Sequence, residues 1–192
     1  MAQLSFGKKR RRRKVNYDLL HEIFRWGIQI IFVCVLAFAC VWYFGIKVNV
    51  IGDSMNPNLQ NGDTVLINRL VYDVRKPERG EIIAFGSKGT KESNYYIKRV
   101  IGLPGETITF EDGDILIDGE KIEEDYRTTG IEELGVFSEP ITLREDEFFV
   151  LGDDRTIAED SRNVNTGNIK RTEIKGKVWF VTSPKEHFGF VK

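Results

Sequence analysis

The sequence is poor in the side chains that most often carry chemistry near neutral pH. Only two of its 192 residues are cysteine, Cys34 and Cys40, and both lie in one apolar run near the N-terminus. The rest of the chain therefore has no disulfide, and an ordinary core must hold it. No CxxC or Cys/His zinc pattern is present. Histidine is as scarce, with His21 and His187 in opposite flanks. His21 precedes the apolar run, and His187 stands near the end in Ser-Pro-Lys-Glu-His-Phe. A Ser-His-Asp arrangement is therefore not expected. No internal repeat or low-complexity linker occurs, and no metal or organic cofactor is implied.

Charge is nearly balanced overall, at −1, but unevenly placed. Residues 1–25 hold eight Lys/Arg against two Asp/Glu, while the remainder holds 20 against 27. An acidic body argues against nucleic-acid binding. A basic head suits an anionic membrane face. Residues 26–46, WGIQIIFVCVLAFACVWYFGI, contain no charge and have aromatic residues at both ends. As a helix they would span about 31 Å, close to the hydrocarbon thickness of a bilayer. The run KKRRRRK at 8–14 stands before them, so the positive-inside bias predicts a cytoplasmic N-terminus and an exported body. Three parts follow: a basic cytoplasmic segment 1–25, a single transmembrane helix 26–46 in the cell membrane, and an extracytoplasmic domain 47–192. The rival reading is a removable signal peptide cut after Ala37-Phe38-Ala39. Against it, bulky Val41 to Phe44 continue the apolar run beyond that point.

Beyond Lys47 the pattern changes to short segments rich in Val, Ile, Phe and Tyr. Strands are expected at 46–51, 64–71, 81–85, 95–101, 107–110, 114–117, 147–151 and 177–182, separated by turns such as Pro104-Gly105 and Asp112-Gly113. ITFEDGDILIDGEKI reads as a hairpin followed by another tight turn. Helical periodicity is not evident in the body, and 122–140 reads as acidic loop. The expected fold is mainly β, with packed sheets on one N-terminal transmembrane helix.

Three segments hold candidate chemistry. Gly52-Asp53-Ser54-Met55-Asn56-Pro57 closes the first strand and presents Ser54 in a Gly/Pro turn. A serine hydroxyl needs a base, and lysine is the alternative to histidine. Lys98 stands in Tyr95-Tyr96-Ile97-Lys98-Arg99-Val100-Ile101, where alternation puts Tyr96, Lys98 and Val100 on one face. Desolvation there would lower its pKa and free the amine. Gly152-Asp153-Asp154-Arg155 through Asp160-Ser161-Arg162 follows an apolar strand and suits an ion-pair network.

Together, in this order after an apolar anchor, these segments resemble the bacterial type I signal peptidases. Gly52-Asp-Ser54-Met55-x-Pro57 is similar to the nucleophile box, and Gly62-Asp63-Thr-Val65 to the box after it. Lys98-Arg99-Val100-Ile101-Gly102-Leu-Pro104-Gly105 is similar to the general-base box, and this long match is the most specific. Gly152-Asp153-x-Arg155 to Asp160-Ser161-Arg162 is similar to the last.

The resemblance implies a membrane-bound serine endopeptidase that removes signal peptides from secreted preproteins. Its partners would be those signal peptides, membrane lipid and the secretion machinery. Ser54 would be the nucleophile and Lys98 the general base. Val48, Val50, Met55, Leu59, Val65, Tyr96 and Ile97 would line shallow pockets for small side chains. Arg99 with Asp153, and Asp160 with Arg162, would brace the site. The sequence departs from the family pattern at three points. Asn58 replaces a usual Thr, Asp154 an Asn, and Ala158 a Ser that commonly orients the lysine. A weakly active or non-catalytic relative that assists assembly of surface proteins is the alternative. A self-cleaving switch of the LexA kind shares the Ser-Lys logic, but the outward-facing anchor argues against it.

Overall fold

The computed structural model describes residues 17–86, 95–130, 139–157 and 159–191. The basic run at 8–14 and Ala158 lie outside these residues. Helix α1, Tyr17–Phe44, has 28 residues and a mean hydropathy of 2.3 in its most apolar window. None of its residues is buried, and it is a candidate membrane span. It begins nine residues before the expected start. The uncharged run marks what suits hydrocarbon, whereas Asp18, Glu22 and Arg25 are compatible with helix and simply extend it. The last turn closes through Gly45 N–H to the Val41 carbonyl at 2.8 Å.

Residues from 46 onward form two antiparallel sheets. The strands are β1 (Ile46–Asn49), β2 (Thr64–Asn68), β3 (Ile82–Gly86), β4 (Tyr95–Gly102), β5 (Thr107–Glu111) and β6 (Asp114–Ile117). Then come β7 (Glu120–Lys121), β8 (Ile141–Thr142), β9 (Glu147–Leu151), β10 (Ile169–Lys170), β11 (Ile174–Ser183) and β12 (Gly189–Phe190). The large sheet runs β1-β2-β11-β3-β4-β9-β10, with β12 on β11, and the small sheet runs β7-β6-β5-β8.

Alternation along single strands feeds separate cores. On β3, Ile82 and Ala84 enter one cluster with Val48, Val50 and Ile97, while Ile83 and Phe85 enter a second with Val100 and Phe148. On β9, Phe148 and Val150 join the second cluster, whereas Phe149 and Leu151 join a third beneath the small sheet. Both faces of these central strands are thus buried, which explains their nearly unbroken apolar sequences.

The structure corrects the expected strand 64–71. The ladder stops at Asn68, and Leu70–Val74 form a short helix, α2. The Asn68 side-chain oxygen accepts the Val71 amide at 3.3 Å, so a local bond replaces the next ladder bond. Tyr72 is then buried with its hydroxyl on Glu81 at 3.0 Å. Four two-residue strands, β7, β8, β10 and β12, are too short to leave an alternating signature.

Candidate active site

Ser54 sits in the loop between β1 and β2. The loop is closed at its base by Val50 N–H to the Asp63 carbonyl at 2.8 Å, and by Gly62 N–H to the Val50 carbonyl at 3.0 Å. Gly52 has φ +85°, a left-handed conformation that side chains with a Cβ rarely adopt. The Ser54 carbonyl accepts the Asp154 amide at 3.1 Å.

Lys98 comes from the middle of β4, where it pairs with Ile83 of β3. Its Nζ lies 2.6 Å from Ser54 Oγ. The lysine is 2% exposed and the serine 9%. Burial pushes the Lys98 amine below the ordinary lysine range. Asp160, Glu159 and Asp153 pull it back upward, and Arg162 pulls it down.

Arg99 grips Asp153 with two hydrogen bonds, both of 2.7 Å, and both side chains are buried. The guanidinium also bonds the Gly80 carbonyl at 2.7 Å and stacks under Tyr126, 3.8 Å from the ring centre. Asn58, within the nucleophile loop, donates to the same Asp153 carboxylate at 2.8 Å. A closed ring of contacts results: Lys98 is bonded to Arg99, Arg99 holds Asp153, and the next residue, Asp154, holds Ser54. Residues 44 positions apart are thereby fixed at hydrogen-bond distance. Asp160 and Arg162 are fully buried and bonded at 2.9 and 2.8 Å. Asp160 also accepts the Gly152 amide at 3.0 Å, and Arg162 donates to the Arg155 and Ile157 carbonyls. The Ser161 hydroxyl accepts the Val150 amide at 2.9 Å.

A cleft of about 260 Å³ opens over the Ser54–Lys98 pair. Four of the seven expected pocket residues line it: Val50, Met55, Tyr96 and Ile97. Val48, Leu59 and Val65 do not. They lie in the core cluster that supports those residues, with Leu59 and Val65 wholly buried. Ile51, Gly52, Tyr95 and Glu159 complete the lining. Gly52 belongs to the motif around Ser54, but nothing in the sequence marks the other three, since Ile51 and Tyr95 read as strand residues and Glu159 as one charge among several. Asn58, Tyr126 and the Glu124–Arg155 pair also went unforeseen, because loop-to-strand contacts leave no periodic signal. Ala158, the position at which the family commonly has a lysine-orienting serine, lies outside the described residues.

The family model for signal peptidase, peptidase S26, matches residues 23–183. The chain is 35% identical over 169 residues to a signal peptidase I of Bacillus caldolyticus, covering 82% of this chain and 90% of that one. It is 32% identical over 184 residues to signal peptidase I T of Bacillus subtilis (strain 168), covering 92% and 91%. Among solved structures, a signal peptidase I from Enterococcus faecalis V583 is similar with 34% identity and a TM-score of 0.43, over 54% of this chain and 97% of that one. The matched stretch runs from α1 to the end of β11 and takes in Ser54, Lys98 and the loop that braces them, so the chain belongs to the signal peptidase family, peptidase S26.

Proposed function

We propose that this protein is a membrane-bound serine endopeptidase that removes signal peptides from exported preproteins through a Ser54/Lys98 dyad. The observation that carries the reading is the 2.6 Å contact between a buried lysine amine and a serine hydroxyl at the floor of a cleft. A desolvated amine is available as a neutral base at a pH where an exposed lysine is charged.

In the proposed reaction Lys98 Nζ takes the Ser54 hydroxyl proton as Oγ bonds the scissile carbonyl carbon. The tetrahedral adduct collapses, the C–N bond breaks, and Lys98 passes that proton to the leaving amine. Water then attacks the acyl-enzyme with Lys98 again accepting a proton. Hydrolysis of the ester returns Ser54 to its free hydroxyl. The Ser54 amide would help hold the oxyanion, and Gly52 has no side chain to add a second donor. One such donor is worth roughly 10²–10³ in rate.

The substrate would lie extended beside Tyr95–Lys98. Strand β9 pairs with β4 only from Arg99 onward, so among the described residues this stretch has β3 alone as its partner. A peptide added there would gain main-chain hydrogen bonds and present alternate side chains to Val50, Met55 and Ile97. Preprotein signal peptides end in small residues that suit such shallow apolar pockets. Anchoring by α1, with the basic N-terminal run in the cytoplasm, would put the body on the outer face and in contact with lipid and the secretion machinery.

The test compares wild type with Ser54→Ala and Lys98→Met on a signal-peptide substrate, using the full chain in detergent. Wild type is expected to cut after the small residue, and each variant to lose turnover. The double variant should be no worse than either single one, because nucleophile and base act as a unit. Turnover by Ser54→Ala would defeat the mechanism. No cleavage by wild type would favour the assembly-assisting alternative.

A further inference from the structure

The cleft over Ser54 is walled by Val50, Ile51, Met55, Ile97 and two tyrosines, and its lining includes two ionisable side chains besides the tyrosines, Lys98 and Glu159. Lys98 is buried and bonded to Ser54. Glu159 is exposed, and among the described residues its carboxylate makes no hydrogen bond or ion pair. The backbone on one side of it is held by its neighbour. Asp160 turns inward, fully buried against Arg162 and the Gly152 amide, and this holds the backbone beside Glu159. Among the described residues that line the cleft, an arriving side chain therefore meets one unpaired charge, and it is negative.

We propose that Glu159 is a specificity-determining residue that favours basic and disfavours acidic side chains at one substrate position near the scissile bond. The inference rests on the peptidase reading above and extends it to substrate charge. Apolar walls narrow the field lines of an unpaired carboxylate, and a bound peptide displaces the water that screens it. A lysine or arginine stem can lie along Ile51 or Tyr96 with its cation at Glu159. A glutamate in the same place would face like charge with no compensating donor. Glu159 is also among the carboxylates that pull the Lys98 amine upward against burial, as its place beside the reacting groups requires.

The experiment uses the full chain in neutral detergent at low salt. Peptides carry Ala, Lys or Glu at each position within two residues of the cut, and kcat/KM is measured for wild type, E159Q and E159K. The Lys-to-Glu ratio within one preparation does not depend on how much enzyme is correctly folded. Wild type is expected to prefer Lys over Glu by roughly fivefold at one position, the combined effect of one attraction and one repulsion at a partly exposed pair. E159Q should bring the ratio near unity and E159K should invert it. Added salt should compress the wild-type ratio. A ratio of unity at every position in wild type, or a preference that survives unchanged in E159K, overturns the proposal. If the Ala peptides are cut normally, that failure is of this inference alone. If wild type cuts none of them, the peptidase reading fails and this one with it.

Discussion

Gly152 packs its α-carbon against the carbonyl oxygen of Ser54, and a Cβ at position 152 would overlap that oxygen. The obstacle is backbone, so it cannot rotate aside. The Asp154 amide bonds the same oxygen at 3.1 Å, which leaves the serine no freedom to retreat without breaking the contact.

Gly152→Ala is therefore expected to cost rate as well as stability. Pushing Ser54 away from Lys98 disturbs the alignment of nucleophile and base, and a misplacement of about 1 Å can cost on the order of 10²-fold. Overpacking at one site costs about 1–3 kcal/mol. The check is kcat/KM beside a thermal melt. Wild-type kinetics in the variant would show that this contact does not set the serine's position.

Lys98→Met should abolish cleavage yet raise stability. The folded state depresses the lysine's pKa through burial. The unfolded chain therefore binds a proton that the folded chain binds less readily. For a lysine with a lowered folded pKa, stability is lost as pH falls from the unfolded value toward the folded one and is regained as pH rises back through that window, with no further change above it. Methionine has similar length and no charge to desolvate. A gain of about 1 kcal/mol would raise Tm by roughly 2–4 °C at this size. The gain should shrink as pH rises toward the ordinary lysine pKa. A lower Tm at neutral pH would contradict the reading.

A serine in a Gly/Pro turn and a lysine in an alternating strand are each weak signals, and only the motifs taken jointly singled out Ser54 and Lys98, which lie 2.6 Å apart. The pocket residues were legible only in part. Val48, Leu59 and Val65 share the chemistry of Val50 and Met55, and only the packing separates floor from foundation. Strands β3, β4, β5, β6 and β9 matched their apolar runs to within a residue at either end. Strand β11 began three residues earlier, at Ile174, because Lys175 and Gly176 interrupt its apolar signal. Helix α2 escaped notice because five residues cannot show a helical period. It is held by Asn68 and by the burial of Tyr72, both tertiary in origin.

The basic run before α1 predicts that the body lies outside the cytoplasm. Protease added to intact cells is expected to degrade sequences after Lys47 and to spare residues 1–25. Replacing the seven basic residues at 8–14 with neutral ones should scramble this orientation, since they supply most of the positive charge on that side. Protection of the body in intact cells would overturn the assignment.

Glu81 gives the clearest pH dependence of stability. Its carboxylate is 8% exposed and accepts hydrogen bonds from Arg75, Lys177, Tyr72 and the Glu78 amide. Burial alone would raise its pKa. The bonds from Arg75 and Lys177 outweigh burial and bring it down from 4.5 to about 2. A carboxylate with a lowered folded pKa stabilises fully above its unfolded value, and that contribution disappears as pH falls through the folded value. A shift of this size corresponds to about 3 kcal/mol. Arg75 and Lys177 are 34% and 35% exposed, however, and screening by solvent reduces the expected effect to about 1–2 kcal/mol. Glu81→Gln should therefore be less stable than wild type at pH 7 by that amount. The difference should hold down to about pH 4.5 and close between there and about 2. Urea unfolding of both proteins across this range decides it. A gap that stays constant with pH would assign the loss to packing and not to the charge of Glu81.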